Sequence, residues 1–270
     1  MSELMRGVAA EVVTPRFRML AADEISEKSP GEVVTIADRE AEQRLYDGLA
    51  ALNLGARIIG EEAVEQDPGL LHGIGDGAVW LIDPLDGTAN FAAGREPFGM
   101  MIALVEDGEP MAGWILDPLS GRLCSAERGR GATCNGERVF AKPRSALPPV
   151  AALGTQFLAE GKRARVHEHA TQHFDLVPIP RCAAASYPRL VFGNDDIALF
   201  QRILPWDHAA GALFLMEAGG AITHWDSTPY RVGGPGKGVL CAASEKMWEF
   251  GADILLGSEA GLIETGGNAS

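Results

Sequence analysis

Cysteine is scarce in this chain, and its spacing matches no disulfide or redox motif. The 270 residues include four cysteines and no C-x-x-C pair; they are Cys124, Cys134, Cys182 and Cys241. A disulfide framework is therefore not indicated. We expect reduced thiols in a protein of a reducing compartment.

Basic residues and long apolar runs are also in short supply. Lys and Arg number 23 against 37 Asp and Glu, which gives a net charge of −14. Nucleic acids and anionic membranes favour basic partners, so we expect neither as a partner. No apolar run approaches membrane-spanning length, and no apolar segment of the signal-peptide type follows Met1. These absences predict a cytoplasmic protein.

The chain does have enough apolar residues, 46%, to form a sizeable core. Apolar periodicity predicts helices over 3–28 (interrupted at Pro15), 38–52, 162–174, 206–218 and 246–256, with a further helical piece at 188–192. Strands are predicted over 33–35, 56–59, 78–82, 98–105, 110–115, 150–154, 176–180, 221–224 and 239–242, with a hairpin over 127–139. The alternation of the two predicts sheets with helices packed on them, and the prolines of 142–149 indicate a boundary between halves.

The stretch from Trp80 to Phe91 is where we expect the chemistry. A buried strand ends at Asp83-Pro84, because proline cannot donate to a sheet, and Asp86 follows in the same turn. Buried unpaired carboxylates are costly, so a cation should lie between them; oxygen ligands without a nearby thiolate or imidazole suit Mg2+. Gly87 and Thr88 would let a helix begin there and direct its N–H groups at an anion. Metal ligands beside an anion cradle indicate phosphate chemistry.

The alternative is that Asp83 to Gly87 is only a turn. The chain supplies a comparison in Ile115 to Gly121, which has the same form without the second acid, and which we interpret as a turn between strands. Three further places put acids beside apolar runs. Glu61-Glu62 could be a solvated loop, and Asp38 and Asp207 could be N-caps of the helices that follow them.

Taken together, these places resemble the inositol monophosphatase family of magnesium-dependent, lithium-sensitive phosphatases. The matching segments, in order, are Gly60-Glu61-Glu62, Trp80 to Phe91, the hairpin 126–136, Pro205-Trp206-Asp207-His208-Ala209-Ala210-Gly211, and Glu217-Ala218-Gly219-Gly220. Each motif alone is weak, whereas all of them in order and at compatible spacing are specific. The resemblance implies a layered αβαβα sandwich of the sugar-phosphatase type, with an α+β part over 1–146 and an α/β part over 147–270.

The resemblance also implies roles for the acids. Glu61, Asp83 and the Leu85 carbonyl would hold a first Mg2+, and Asp83, Asp86 and Asp207 a second, with two or three ions in all. Gly87 and Thr88 would bind the phosphate, with Asp207 on the substrate side. Thr88, Asp38 and Glu61 would orient or activate the attacking water. Lys28 would correspond to a lysine that the family has near its mobile first loop.

Two kinds of function are compatible with these features. The first is Mg2+-dependent hydrolysis of a small phosphomonoester resembling an inositol or sugar phosphate, and its alternatives are histidinol phosphate, fructose 1,6-bisphosphate or a 3′-phosphonucleotide. The second is a non-catalytic relative that works through a partner; the intact acids argue against it. We expect a homodimer that binds a small phosphorylated metabolite.

Inositol itself is not the predicted substrate. Inositol-preferring relatives place a glutamate roughly seven residues before the Trp-Asp aspartate, and this chain has Phe200 there. The segment 181–187 also departs from the family pattern. A shift of register could instead bring Asp195 or Asp196 into that position.

Two further patterns are set aside. His167, His169 and His173 lack the H-E-x-x-H form and are interpreted as surface residues. The glycine-rich segment 233–238 lacks the first glycine and the Ser/Thr of a phosphate-binding loop.

Overall fold

The computed structural model describes residues 1–29, 32–257 and 262. Its helices are α1 (Ser2–Val8), α2 (Ile36–Ala50), α3 (Glu61–Gln66), α4 (Thr88–Ala92), α5 (Glu160–Ala170), α6 (Ala183–Val191), α7 (Pro205–Glu217) and α8 (Glu245–Leu255). Its strands are β1 (Ile25–Ser29), β2 (Glu32–Thr35), β3 (Arg57–Gly60), β4 (Ala78–Asp86), β5 (Gly99–Glu106), β6 (Glu109–Leu116), β7 (Leu123–Glu127), β8 (Gly131–Cys134), β9 (Glu137–Val139), β10 (Val150–Gly154), β11 (Asp175–Val177), β12 (Ile197–Phe200), β13 (Ala221–His224) and β14 (Val239–Ala242).

Strand β4 explains why the fold is layered. Val79 and Leu81 pack into one apolar cluster, whereas Trp80 and Ile82 pack into another. Successive side chains of a strand point to opposite faces of the sheet. A strand with apolar side chains on both faces must therefore lie between two covering layers, and here helices provide both.

The strands form two large sheets and one hairpin. The larger sheet has the order β3-β4-β5-β6-β7-β8-β9, parallel between β3 and β4 and antiparallel elsewhere. The smaller has the order β11-β10-β12-β14-β13, with β10 parallel to both of its neighbours. Strands β1 and β2 pair antiparallel as a separate hairpin.

Five layers follow from the way the apolar clusters divide. Helices α1 and α2 share one cluster with the larger sheet, and α6 and α7 share another with the faces of both sheets. A third cluster joins the outer face of the smaller sheet to α5 and α8. The observed order of layers is therefore αβαβα, as predicted.

Helix α7 is buried nearly all round because it lies between the two sheets. It approaches the larger sheet at Gly113, where a Cβ would stand 2.8 Å from the Ala210 Cα. Glycine is needed at this position for the helix to come so close. The helix ends at Glu217, and Gly219 follows in the predicted capping position with a φ of +94°, while the Gly220 N–H donates to the Leu215 carbonyl at 2.9 Å.

The predicted helix over 3–28 is wrong over much of its length. Regular helix ends at Val8, and a π-helical turn, Ala9–Val13, and a 3₁₀ turn, Thr14–Arg16, follow. Pro15 lies in the first turn of that 3₁₀ segment, where its missing N–H costs least. Residues 25–29 form β1, which pairs with β2 rather than continuing a helix.

The two alternative N-caps, one helix boundary and one missed strand also need correction. Thr35 caps α2, and Asp38 occupies the third helical position in a capping box. Leu204 is the N-cap of α7, so Asp207 is likewise third. Helix α6 begins at Ala183 and contains Pro188, and β12 was not predicted.

Other predictions agree with the structure. The segment after Ile115 is a turn whose Asp117 accepts the N–H groups of Leu119 and Ser120. Asn135-Gly136 joins β8 to β9, and the glycine-rich 233–238 lies outside helices and strands. The sequence also predicts disorder over 265–270, and that segment lies outside the described residues. No described helix is long and apolar enough to cross a membrane.

The division at residues 146 and 147 remains a prediction. The strands of the larger sheet all precede it, and those of the smaller sheet all follow it. The cluster around α7 nevertheless includes residues from both parts, so the two parts share a core.

Candidate active site

A pocket of about 560 Å³ lies where the ends of several elements meet. The end of β4 and the start of α4 contribute to its lining, as do α3, the start of α7 and the β1–β2 hairpin. All of the predicted metal ligands and phosphate-binding residues line it: Glu61, Asp83, Leu85, Asp86, Gly87, Thr88 and Asp207. Asp38 reaches the same place through its hydrogen bond to Thr88.

Asp83 and Asp86 are at the end of β4, where its pairing with β5 becomes irregular. Asp83 is 1% exposed, and its Oδ1 accepts the Leu85 N–H at 3.1 Å. Asp86 Oδ2 accepts the Ala184 N–H at 2.5 Å. Burial raises the pKa of Asp86 to about 6, although the Ala184 N–H opposes the rise. The turn thus keeps two acids buried with only part of their acceptor capacity satisfied.

Asp207 and Glu61 approach these acids from separate elements. Burial, followed by the charges of Asp86 and Glu61, raises the pKa of Asp207 well above its ordinary range. The pKa of Asp83 is raised well above its ordinary range in the same way, by burial and then by Glu61 and Asp86. Buried aspartates whose pKa is raised by neighbouring like charges indicate an anionic site that a cation would stabilise.

Lys28 supplies a positive charge at one side of this group. Its Nζ lies 3.0 Å from Glu61 Oε1 and 2.5 Å from Glu62 Oε1. Burial alone would lower the pKa of Lys28, but the two glutamates raise it above its ordinary value. The lysine is presented by β1, the strand that the helix prediction missed.

Glu42, which no sequence pattern pointed to, supports the site from α2. Its carboxylate accepts the N–H groups of Glu62 and Ala63, each at 2.8 Å, at the start of α3. Gly60 allows this approach, since a Cβ there would stand 2.2 Å from the Glu42 carboxyl carbon. Glu61 and Glu62 therefore begin a helix held in place by α2, and are not a solvated loop.

Asp38 and Thr88 form a hydrogen-bonded pair beside the acids. The Thr88 Oγ1 lies 2.9 Å from Asp38 Oδ1, and Thr35 donates to Asp38 Oδ2 through both its N–H and its hydroxyl. Burial raises the pKa of Asp38 to about 7, against the lowering effect of these donors. The pair has the chemistry needed to orient a water molecule.

Gly87 makes the turn from β4 into α4. Its φ is +84°, and a Cβ there would stand 2.9 Å from the Pro97 carbonyl oxygen. Glycine is therefore required both by the backbone conformation and by the close contact. The first turn of α4 begins at Thr88, where N–H groups lack partners within the helix.

Apolar side chains also contribute to the lining of the pocket. Phe157, Ile179 and Phe200 line it, and Arg202 lies over the Phe157 ring at 4.8 Å while pairing with Glu32. The alternative register, in which Asp195 or Asp196 would take the position of Phe200, is wrong. Arg189 binds both carboxylate oxygens of Asp195, and the N–H groups of Arg144 and Val150 bind those of Asp196.

The donor set suits a hard divalent cation, because it consists of carboxylate and carbonyl oxygens. Among the described residues, no three His, Cys, Asp or Glu side chains already stand together as a coordination shell. Glu61 is engaged by Lys28, and Asp86 is engaged by Ala184. Cation binding would therefore exchange some of these hydrogen bonds for metal ligation. The histidine cluster of α5 is no rival site, since His167 pairs with Thr155.

Comparison with known proteins finds similar chains that are named as phosphatases. An inositol-1-monophosphatase of Bacillus subtilis is 29% identical over 215 residues, covering 76% of this chain and 77% of that one. A fructose-1,6-bisphosphatase/inositol-1-monophosphatase of Thermotoga maritima is 34% identical over 200 residues, covering 73% and 74%. A protein of Pseudomonas aeruginosa named Nus factor SuhB is 34% identical over 224 residues, covering 80% of each.

Solved structures give the same result. An IMPase of Thermotoga maritima superposes with a TM-score of 0.78 at 26% identity, covering 96% of this chain and 95% of that one. An inositol monophosphatase of Zymomonas mobilis gives a TM-score of 0.75 at 27% identity, covering 97% of each.

Fold and relatives together define a phosphoric monoester hydrolase of the layered αβαβα type. Residues 2–255 match the inositol monophosphatase family, and the chain belongs to that family.

Proposed function

We propose that this chain hydrolyses a small phosphomonoester in a Mg2+-dependent reaction and releases inorganic phosphate. The observation that carries the proposal is the convergence of Glu61, Asp83, Asp86 and Asp207 on one pocket, from β4 and the starts of α3 and α7. Residues far apart in sequence meet there, and three of them have raised pKa values because of burial and mutual repulsion.

Each acid has a proposed part in holding the cations. Glu61, Asp83 and the Leu85 carbonyl would hold a first ion, and Asp83, Asp86 and Asp207 a second. Bound ions would supply an acidified water and stabilise phosphoryl charge. Asp207 would also border the substrate. No acid needs to become a covalent intermediate.

The remaining residues would position the phosphate and the water. The Gly87 and Thr88 N–H groups would bind phosphate oxygens, for which the left-handed Gly87 allows a close backbone approach. Thr88 and Asp38 would orient the attacking water through the hydrogen bond between them. Glu61, at the start of α3, would aid activation of the water.

The leaving group would lie against Phe157, Ile179 and Phe200. Inositol hydroxyl groups would find no carboxylate at Phe200, which stacks on Tyr187 with ring centroids 5.8 Å apart. A sugar bisphosphate is an alternative, favoured by the name of the Thermotoga maritima relative. Histidinol phosphate and 3′-phosphonucleotides also remain alternatives. We further propose a cytoplasmic homodimer.

A non-catalytic role is the competing proposal, because one relative is named Nus factor SuhB. Phosphate release from a panel of small phosphomonoesters, with Mg2+ and with excess chelator, separates the two. We expect release that requires Mg2+ and is lost in Asp83→Asn. The matched control is Asp117→Asn, which alters the similar turn outside the pocket. Absence of release from the whole panel, with Mg2+ bound, would favour the non-catalytic role.

A further inference from the structure

Cys124 and Cys134 lie directly opposite each other on neighbouring strands, outside the pocket. The register of β7 and β8 pairs them. The next pair is joined by a hydrogen bond from the Asn135 N–H to the Leu123 carbonyl at 2.8 Å. Hydrogen-bonded and non-hydrogen-bonded pairs alternate along antiparallel strands, so the two cysteines form a non-hydrogen-bonded pair. Side chains are closest in pairs of this type.

This spacing is compatible with a disulfide. Opposite residues of a non-hydrogen-bonded pair have Cα atoms about 4.5 Å apart, within the range of about 4.4–6.8 Å that disulfides span. The thiols also interact: burial, and then the neighbouring Cys134, raise the pKa of Cys124 to about 12. The strand pairing therefore places the two sulfur atoms within reach of each other.

The two thiols differ in access. Cys124 is 1% exposed, whereas Cys134 is half-buried and open to a reagent at the surface. The other cysteines belong to different environments: Cys182 contacts the Asp86 carbonyl, and Cys241 contacts the Tyr187 hydroxyl. Cys134 is thus the accessible thiol, and Cys124 is its partner in the sheet.

We propose that Cys124 and Cys134 form a dithiol site that a small-molecule disulfide, such as oxidised glutathione, converts to a cross-strand disulfide. The Cys134 thiolate attacks one glutathione sulfur, forms a mixed disulfide and releases one glutathione thiolate. Cys124 then loses its proton as its sulfur attacks the Cys134 sulfur, and the second glutathione is released. The two cysteines are oxidised, two glutathione thiols are produced, and the protons of the cysteine thiols pass to them.

The site is placed to stabilise the hairpin without disturbing the pocket. The loop between β7 and β8 is attached to the end of α7, where Glu217 accepts the Gly129 and Gly131 N–H groups, each at 2.7 Å. Asp207 is at the opposite end of that helix. The disulfide would join strands that are already paired, so we expect a higher thermal midpoint and unchanged phosphatase activity.

The test is incubation of the purified chain with oxidised glutathione, followed by intact mass, peptide mapping and thermal unfolding. We expect the loss of two hydrogen masses, a linked peptide pair containing Cys124 and Cys134, and a midpoint higher by about 5 °C. Dithiothreitol should reverse all three. These readouts do not depend on phosphatase activity.

Two variants sharpen the result. Cys124→Ala should keep one glutathione on Cys134, because no partner displaces it, and Cys134→Ala should resist modification at Cys124. A stable glutathione adduct on Cys134 of the unmodified chain would overturn the proposal. So would a linkage through Cys182 or Cys241, or four thiols still free after oxidant.

Discussion

The Thr88 Oγ1 lies 2.9 Å from Asp38 Oδ1 and 2.8 Å from the Leu85 carbonyl oxygen. A hydroxyl has one proton, so it donates to only one of these acceptors at a time. An ionised Asp38 can accept that proton, which leaves the Leu85 carbonyl free for another partner. A protonated Asp38 can donate to Thr88, which then donates to Leu85. The pair therefore links α2 to the carbonyl proposed as a metal ligand.

Replacing Thr88 by Val should lower kcat by about 10²–10⁴-fold, the range typical for loss of a group that assists proton transfer. The variant keeps the shape of the side chain and removes the hydroxyl. KM should change little, because the backbone N–H proposed to bind phosphate remains.

Steady-state kinetics on the best substrate of the panel gives the measurement. Thr88→Ser is the matched control and should retain most of the activity. Equal losses in Thr88→Ser and Thr88→Val would show that the hydroxyl is not the relevant feature.

Asp83→Asn should abolish phosphate release while preserving the fold. Asp83 is the one acid proposed to contact both ions, and its pKa is raised by burial and by Glu61 and Asp86. Removing its charge should therefore weaken cation binding and leave the thermal midpoint in chelator unchanged or higher. Calorimetry with Mg2+ and thermal unfolding measure the two effects. Turnover near that of the unmodified chain at saturating Mg2+ would contradict the two-ion proposal.

Stability without divalent cations should fall as the pH rises from about 4.5 to 7, and Glu42 should contribute to the fall. Burial raises its folded-state pKa from 4.5 to about 7, so the folded state binds the proton more tightly than the unfolded state does. That stabilisation is complete below the unfolded pKa and is lost as pH rises through the folded pKa, a change of about 3 kcal/mol.

Glu42→Gln should reduce the slope of the unfolding free energy against pH by the contribution of about one bound proton. The measurement is the free energy of unfolding by denaturant at pH 5 and pH 7.5, in chelator. Glu137→Gln, at an exposed residue of β9, is the control and should leave the slope unchanged. An identical slope in Glu42→Gln and the unmodified chain would mean that Glu42 is ionised throughout.

Ca2+ should inhibit the Mg2+-dependent reaction, and Li+ should inhibit it as well. Ca2+ accepts the same oxygen ligands at longer and less octahedral distances, which should misalign the water and the phosphate. The expectation for Li+ comes from the family. Initial rates at fixed Mg2+ with increasing Ca2+ provide the measurement, with matched chloride concentrations as the control. Rates that stay constant under excess Ca2+ would argue against a hard-cation site.

Inositol 1-phosphate should not be a preferred substrate. Phe200 cannot accept hydrogen bonds from ring hydroxyls, and a desolvated hydroxyl without a partner costs about 1–3 kcal/mol. The check is kcat/KM for inositol 1-phosphate against the other phosphomonoesters of the panel. A preference for inositol of more than about a hundredfold, or roughly 2.7 kcal/mol, would refute this prediction.

Local sequence was sufficient for the centre of the site. Strand β4 is apolar at successive positions and ends in an Asp-Pro turn, so its burial and its two acids follow from short-range rules. Gly87 follows in the same way, because the turn needs a positive φ that glycine adopts without strain. Sheets covered by helices could also be predicted from the alternation of strands and helices, whereas the αβαβα order of layers came from the family resemblance.

Tertiary structure decided which distant residues join that centre. Lys28 and Glu42 meet the start of α3 because a hairpin and a neighbouring helix pack there, and no local periodicity encodes that contact. Strand β12 was missed because four apolar residues are compatible with helix or strand until neighbouring strands supply hydrogen bonds. Local sequence allowed Asp38 and Asp207 to be N-caps, whereas the structure places each at the third position of its helix. Asp207 lines the pocket there, and Asp38 accepts a hydrogen bond from Thr88. Sequence patterns determine which side of an element is buried, but the pairing of buried sides depends on contacts between residues far apart in the chain.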